Sequence, residues 1–299
     1  MLKNGTLWLD VDGNPIQAHG GMIAEFHGTY YWYGEHKGAD NCPGTTRVDV
    51  IGISCYTSGD LHHWHYEGLA LKAEADDPDS FLHPSRVCER PKVIYNEKNR
   101  NYVMWFHADD AGYRYAGVGV AVSDSPAGPF HLVRVMQPNR LDSRDMTLFQ
   151  DTDGRAYLYH SSNFNKTMCI TRLNEDYTDV TAEYHYALAD QEREAPAVFV
   201  REGTYYMITS GCSGWAPNAA LMATAKHPCS GWKLIDNPCV GPGYRKTFQG
   251  QSSYVLNVQG TYYLMLDHWK PEDLKSSGYS ILPITFTEDG PEVVWQDEF

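Results

Sequence analysis

The 299-residue sequence predicts an all-β fold, a five-bladed β-propeller. Three observations lead there. A polar residue, a short hydrophobic run, a turn and a tyrosine-bearing run recur in that order five times. The five recurrences take up nearly the whole chain. No long amphipathic pattern of helical period competes with them.

The units follow in order. His19-Gly20-Gly21-Met22-Ile23 leads through His27-Gly28 to Thr29-Tyr30-Tyr31-Trp32-Tyr33-Gly34. Glu89-Arg90-Pro91-Lys92-Val93 leads through Glu97-Lys98-Asn99-Arg100-Asn101 to Tyr102-Val103-Met104-Trp105-Phe106. Asp145-Met146-Thr147-Leu148-Phe149 is followed by Asp151-Thr152-Asp153-Gly154 and Tyr157. Glu194-Ala195-Pro196-Ala197-Val198 is followed by Arg201-Glu202-Gly203 and Tyr205-Tyr206. Gln251-Ser252-Ser253-Tyr254-Val255 leads through Gln259-Gly260 to Tyr262-Tyr263-Leu264-Met265-Leu266. Each is a strand, a turn and a strand, the signature of a β-hairpin. The polar residue precedes its tyrosine by 11, 13, 12, 11 and 11 residues. Successive tyrosines stand 72, 55, 48 and 57 residues apart. Five such units account for residues 1–299 as one domain, with no residues left for a carbohydrate-binding module.

A second motif closes the units. Ser58-Gly59-Asp60-Leu61-His62-His63-Trp64, Ser123 to Phe130 and Ala225 to Trp232 each place a turn before an aromatic, with a weaker copy at Leu173 to Tyr177. An inner hairpin, a third strand, this turn and an outer strand make a four-stranded blade. A β-sandwich would not explain the repeat.

Composition narrows the partners. Hydrophobic residues make up 42% and charged residues 21%, as in ordinary globular chains. The 21 Tyr and 8 Trp suit sugar surfaces, because such rings stack on C–H faces and hydrogen-bond at one edge, although tyrosine also simply favours strands. A net charge of −14 argues against nucleic acid and anionic membranes as partners. The seven cysteines form no CxxC pair and read as reduced thiols. With no apolar leader at the N-terminus the expectation is a cytoplasmic protein, and a secreted chain already freed of its leader would read the same.

Equivalent positions of a closed array face one place. The repeat therefore gathers His19, Glu89, Asp145, Glu194 and Gln251 around one axis. One isolated carboxylate there would more often hold a neighbouring blade; three point to acid–base chemistry. Glu35, Tyr113, Asn163 and Asn165 are candidates to hydrogen-bond sugar hydroxyls, and Trp215 to stack on a sugar ring. Each also has a plain structural reading, since Asn serves turns and Trp and Tyr are often buried. Asp151-Thr152-Asp153-Gly154 resembles the start of a calcium loop but lacks its downstream ligands and reads as a hairpin turn. No metal-ligand spacing and no cofactor motif is present, so no cofactor is expected.

The strings Ala18-His19-Gly20-Gly21, Tyr31-Trp32-Tyr33-Gly34-Glu35, Glu89 to Val93, Ser143-Arg144-Asp145-Met146, Arg193-Glu194-Ala195-Pro196, Thr209 to Asn218 and Gly250-Gln251-Ser252-Ser253 resemble glycoside hydrolase family 43, and within it the exo-β-1,3-galactanases. The resemblance spans essentially the whole chain. It implies an inverting hydrolase with Glu194 as general acid and Asp145 as the aspartate that tunes its pKa and orients substrate. The family's first-blade aspartate, its usual base, is replaced in register by His19. In the galactanase group a glutamine matching Gln251 handles the water with help from a glutamate matching Glu89. Histidine is a residue type that serves as a base, which makes His19 a second candidate, whereas the two glycines after it suggest a close backbone approach. Other activities of the family (α-L-arabinofuranosidase, β-xylosidase, galactofuranosidase) and a non-catalytic sugar-binding propeller are the alternatives.

Overall fold

The computed structural model describes residues 1–288 and 290–299. Its strands form five sheets in chain order, antiparallel apart from one short strand in the fifth. Blade 1 is β1 (His19–Phe26), β2 (Thr29–Glu35), β3 (Gly52–Ser58) and β4 (His65–Lys72). Blade 2 is β5 (Val87–Asn96), β6 (Asn101–Asp109), β7 (Gly117–Ser123) and β8 (His131–Met136). Blade 3 is β9 (Met146–Gln150), β10 (Ala156–Ser162), β11 (Thr167–Leu173) and β12 (Val180–Ala187). Blade 4 is β13 (Arg193–Arg201), β14 (Thr204–Gly211), β15 (Leu221–Ala225) and β16 (Lys233–Leu234). In blade 5, β18 (Gln251–Val258), β19 (Thr261–His268), β20 (Gly278–Thr287) and β21 (Gly290–Val294) are joined by the short β17 (Cys239–Val240), parallel to β21. The fold is the expected five-bladed propeller.

Each interface between consecutive blades has its own apolar cluster. Met22, Tyr33 and Ile53 meet Val93, Met104 and Phe106 between blades 1 and 2. Val103 and Trp105 meet Leu148 and Leu158 between blades 2 and 3. Similar clusters join blades 3 and 4, 4 and 5, and 5 and 1. Truncating a fully buried ring such as Trp105 to Ala costs about 3–5 kcal/mol, because the cavity it leaves is walled by two sheets. Many of the aromatic residues serve these joints rather than a sugar. Tyr33 donates to Pro126 O at 2.6 Å, Trp105 to Tyr177 O at 2.7 Å and Tyr159 to Pro228 O at 2.8 Å, each fixing the next blade.

The ring is closed by the first eight residues, for which the repeat gives no signal. Leu2 and Phe299 exchange backbone hydrogen bonds of 2.9 and 2.8 Å. Asn4, 3% exposed, accepts from Ile281 N and donates to Gln296 O. Trp8 packs edge-on against Trp32 of blade 1 and beside Tyr279 of blade 5. Asp151-Thr152-Asp153-Gly154 forms the β9–β10 hairpin turn, as expected.

One local feature matters for the site. A β-bulge interrupts pairing at the start of four inner strands: His19/Met22, Glu89/Lys92, Glu194/Ala197 and Ser252/Tyr254. Bulges re-aim the side chains beside them. The residue after the polar one is left-handed in three blades: Gly20 (φ 59°), Arg90 (φ 55°) and Ala195 (φ 52°). Glycine adopts this without strain; Arg90 and Ala195 are held in it. The holding groups are carboxylates of the preceding blade. Asp267 accepts from Gly20 N at 3.1 Å, Glu35 from Arg90 N at 2.9 Å and Asp145 from Ala195 N at 3.1 Å.

Candidate active site

The bulges open onto a funnel of about 310 Å³ at one end of the channel. Glu89, Asp145, Glu194 and Gln251, from four different blades, line it together, with Glu35, Tyr113 and Trp215. Arg90, Lys37 and Trp269 also line it, and sequence reasoning did not single them out. Arg90 had a signal: the other blades place Gly20, Met146, Ala195 and Ser252 after the polar residue, and only blade 2 places a charge there.

Arg90 is the hub. Its guanidinium reaches Asp145 through Nε (3.1 Å) and Nη2 (2.9 Å), Gln251 Oε1 at 2.6 Å and Ser252 O at 3.2 Å. Such a planar fork holds a carboxylate in a fixed plane, which a lysine would not do. Asp145 is thereby bound on both oxygens and also accepts from Ala195 N.

Gln251 is fully engaged. Its Oε1 accepts from Arg90 and from Trp269 Nε1 (2.9 Å), and its Nε2 donates to Glu194 Oε1 (3.2 Å) and Ser210 Oγ (3.0 Å). Glu194 therefore has an amide donor on one oxygen. Burial, and then the nearby Asp145, push its pKa up to about 8, against the lowering effects of Arg90, the Cys212 thiol and Arg193. The carboxyl is thus mostly protonated at neutral pH. The sequence reading credited the Asp145 charge; burial is the larger cause.

Glu89 lies in the opposite environment. Burial alone would raise it, but Lys37 (3.6 Å), His107 (3.5 Å) and Tyr113 Oη (2.8 Å) outweigh burial and hold it well below the usual carboxylate range. Lys37 also pairs with Glu35 at 2.7 Å. Burial, followed by the charge of Glu89, raises Glu35 in spite of that partner.

Three candidates lie elsewhere. His19 holds the expected register but is fully buried and does not line the funnel. Its Nδ1 meets Asp267 at 3.2 Å and its Nε2 meets Tyr279 Oη at 3.0 Å, so it backs Trp269, whose ring centroid is 5.5 Å away. Asn163 and Asn165 do not line the funnel either. They form the left-handed β10–β11 turn (φ 51° and 63°), where Asn is tolerated, and Asp142 caps the Asn163 N–H. Trp215 stands at the mouth, 37% exposed, its Nε1 on Thr46 Oγ1 at 3.0 Å and its ring edge-on to Trp269.

A family model for glycosyl hydrolases family 43 matches residues 14–291. The chain belongs to glycosyl hydrolase family 43. Among solved structures of the family, a β-1,3-galactosidase in complex with galactodeoxynojirimycin is 38% identical with a TM-score of 0.94, over 100% of this chain and 99% of that one. The exo-β-1,3-galactanase of Phanerochaete chrysosporium, solved with β-1,3-galactotriose, is 35% identical with a TM-score of 0.91, over 99% of this chain and 67% of that one. A curated β-D-galactofuranosidase of Aspergillus niger is 27% identical over 180 residues, 54% of this chain. The match spans 51% of that relative, about half its length.

Proposed function

We propose that this family 43 protein is an exo-acting, inverting glycoside hydrolase that releases galactose from β-1,3-galactan or its oligosaccharides. The observation that carries this reading is one funnel lined by both Glu194, hydrogen-bonded to Gln251 and raised by burial, and Glu89, held low by Lys37 and His107. The choice of sugar is supported by the β-1,3-galactosidase and exo-β-1,3-galactanase to which the chain is similar along its whole length.

In this reading Glu194 gives its proton to the departing glycosidic oxygen. Its high pKa matches that task, since an acid must still hold its proton at the working pH. Asp145, fixed by Arg90, orients the sugar and keeps negative charge beside Glu194. Gln251 positions the attacking water, exchanging one of its present partners for it. Glu89 takes the water's proton, directly or through Gln251. Inversion requires water to attack the face opposite the leaving oxygen. Tyr113 holds Glu89 in place, and Trp215 with Trp269 supplies apolar surface for a sugar ring.

Digestion of β-1,3-galactan and β-1,3-galactotriose, followed by proton NMR of the first product, tests this. The expected result is galactose alone, released as the α-anomer. Early oligosaccharide products, a β-anomer, or turnover confined to arabinofuranosides, xylosides or galactofuranosides would overturn the reading. Binding without turnover of any of these would point to a sugar-binding propeller.

A further inference from the structure

Lys92 is a buried charge for which the chemistry above has no use. Its side chain is fully inaccessible, on β5, two residues after Arg90. Its Nζ donates to Gly20 O at 2.8 Å and Arg90 O at 3.3 Å; both are carbonyls, not carboxylates. An interior ammonium without a carboxylate partner is costly, so its position calls for a reason.

Both carbonyls belong to the left-handed bulge residues of blades 1 and 2. Their N–H ends are already held by Asp267 and Glu35. The two bulges are thus gripped by a carboxylate at each N–H and by one shared ammonium at the C=O. Blade 4 shows the same arrangement with a neutral donor: Ala195 N meets Asp145, and Ala195 O accepts from Ser252 Oγ at 2.7 Å. The charged version is therefore found where the bulge carries Arg90, the residue that touches Asp145 and Gln251.

We propose that Lys92 is a positioning residue: its ammonium fixes the Gly20 and Arg90 bulges and so aims the Arg90 guanidinium at Asp145 and Gln251. This rests on the reading of Glu194, Asp145 and Gln251 as the reacting site. The charged groups facing Lys92 are Arg90 on its own strand, Glu35 on β2, Asp267 on β19 and Asp145 before β9. Burial, then Arg90, push the Lys92 pKa down to about 7 against the three carboxylates. Deprotonation above that pH weakens the grip. An unfolded lysine keeps its proton to roughly 10.4, so between these values the unfolded chain binds more protons and the Lys92 contribution to stability rises with pH. A loss of activity from this titration is therefore not a loss of fold.

The test uses an activated aryl β-galactoside, whose leaving group needs no proton from Glu194. Lys92→Met keeps the bulk and removes the donors; Lys92→Gln keeps two donors without a titrating charge. For Lys92→Met the expected kcat loss is about 10²-fold, with KM nearly unchanged, since small misplacements cost that much. The wild type should lose kcat/KM above about pH 7. Lys92→Gln should regain most of the activity and lack that decline. A folded Met variant with wild-type kcat, or a Gln variant with the wild-type pH profile, overturns the proposal. Should Lys92→Met fail to fold, the Gln profile decides alone. Wild-type turnover with both variants unchanged refutes only the role of Lys92. No wild-type turnover of any β-galactoside refutes the functional reading.

Discussion

Glu89 and Glu194 occupy the same place in blades 2 and 4. Each begins a bulge, each precedes a left-handed residue and then a proline, and each faces the same funnel. Their protonation is nonetheless opposite: Glu194 is pushed up to about 8 and Glu89 is held far down. Burial raises both, so burial does not separate them. The neighbours do. Glu89 pairs across the hairpin with His107, whose pKa is itself raised to about 9 by Asp109 and Glu89 against burial, and Lys37 stands beside it. Glu194 pairs across its hairpin with Ser210, a hydroxyl, and stands near Asp145. The repeat places the carboxyls; residues on the second strand and the preceding blade shift their pKa values in opposite directions.

The strongest way to break this contrast is Glu194→Gln. Loss of a general acid costs roughly 10²–10⁴-fold on natural galactosides, whose leaving oxygen must be protonated. The loss should be much smaller on activated aryl galactosides; equal losses measured on both would contradict the assignment. In the proposed mechanism Glu89 and Gln251 serve the water, so Glu89→Gln and Gln251→Ala should each cost about 10²-fold on both kinds of substrate alike. A leaving-group dependence in either variant would move that residue to the acid side.

A smaller change sharpens the contrast. Lys37→Met removes a cation that lowers Glu89, so the Glu89 pKa rises. Since Glu89 must be ionised, activity falls as pH drops through its pKa, and the acidic limb of kcat/KM should move to higher pH. The alkaline limb, assigned under the proposals above to Glu194 and Lys92, should stay where it is. A pH–rate profile in which both limbs shift together would show that the two carboxyls do not act separately.

Much of this was legible in the sequence. Five blades followed from five spacings, because a strand's period of two and a short turn leave little freedom in where the polar residue falls. Register, however, does not give side-chain direction. His19 has the right register, yet its ring turns into the joint between blades 5 and 1 to meet Asp267 and Tyr279. Asn163 and Asn165 carry sugar-binding chemistry but serve a left-handed turn. Arg90, Lys37 and Trp269 stand just after ring positions or hairpin ends and enter the funnel because bulges and blade ends bend there. The terminal clasp at Asn4 and Trp8 depends on contacts nearly 300 residues apart in the chain, which no local pattern records.

The most direct measurement is a carbon-13 NMR titration of the glutamate carboxyls in the wild type, Glu194→Gln and Glu89→Gln. The expected result is one glutamate titrating near pH 8, absent from Glu194→Gln and present in Glu89→Gln. A high-titrating signal that survives Glu194→Gln and disappears with Glu89→Gln, or no glutamate titrating above the ordinary range, would contradict the division of roles between the two blades.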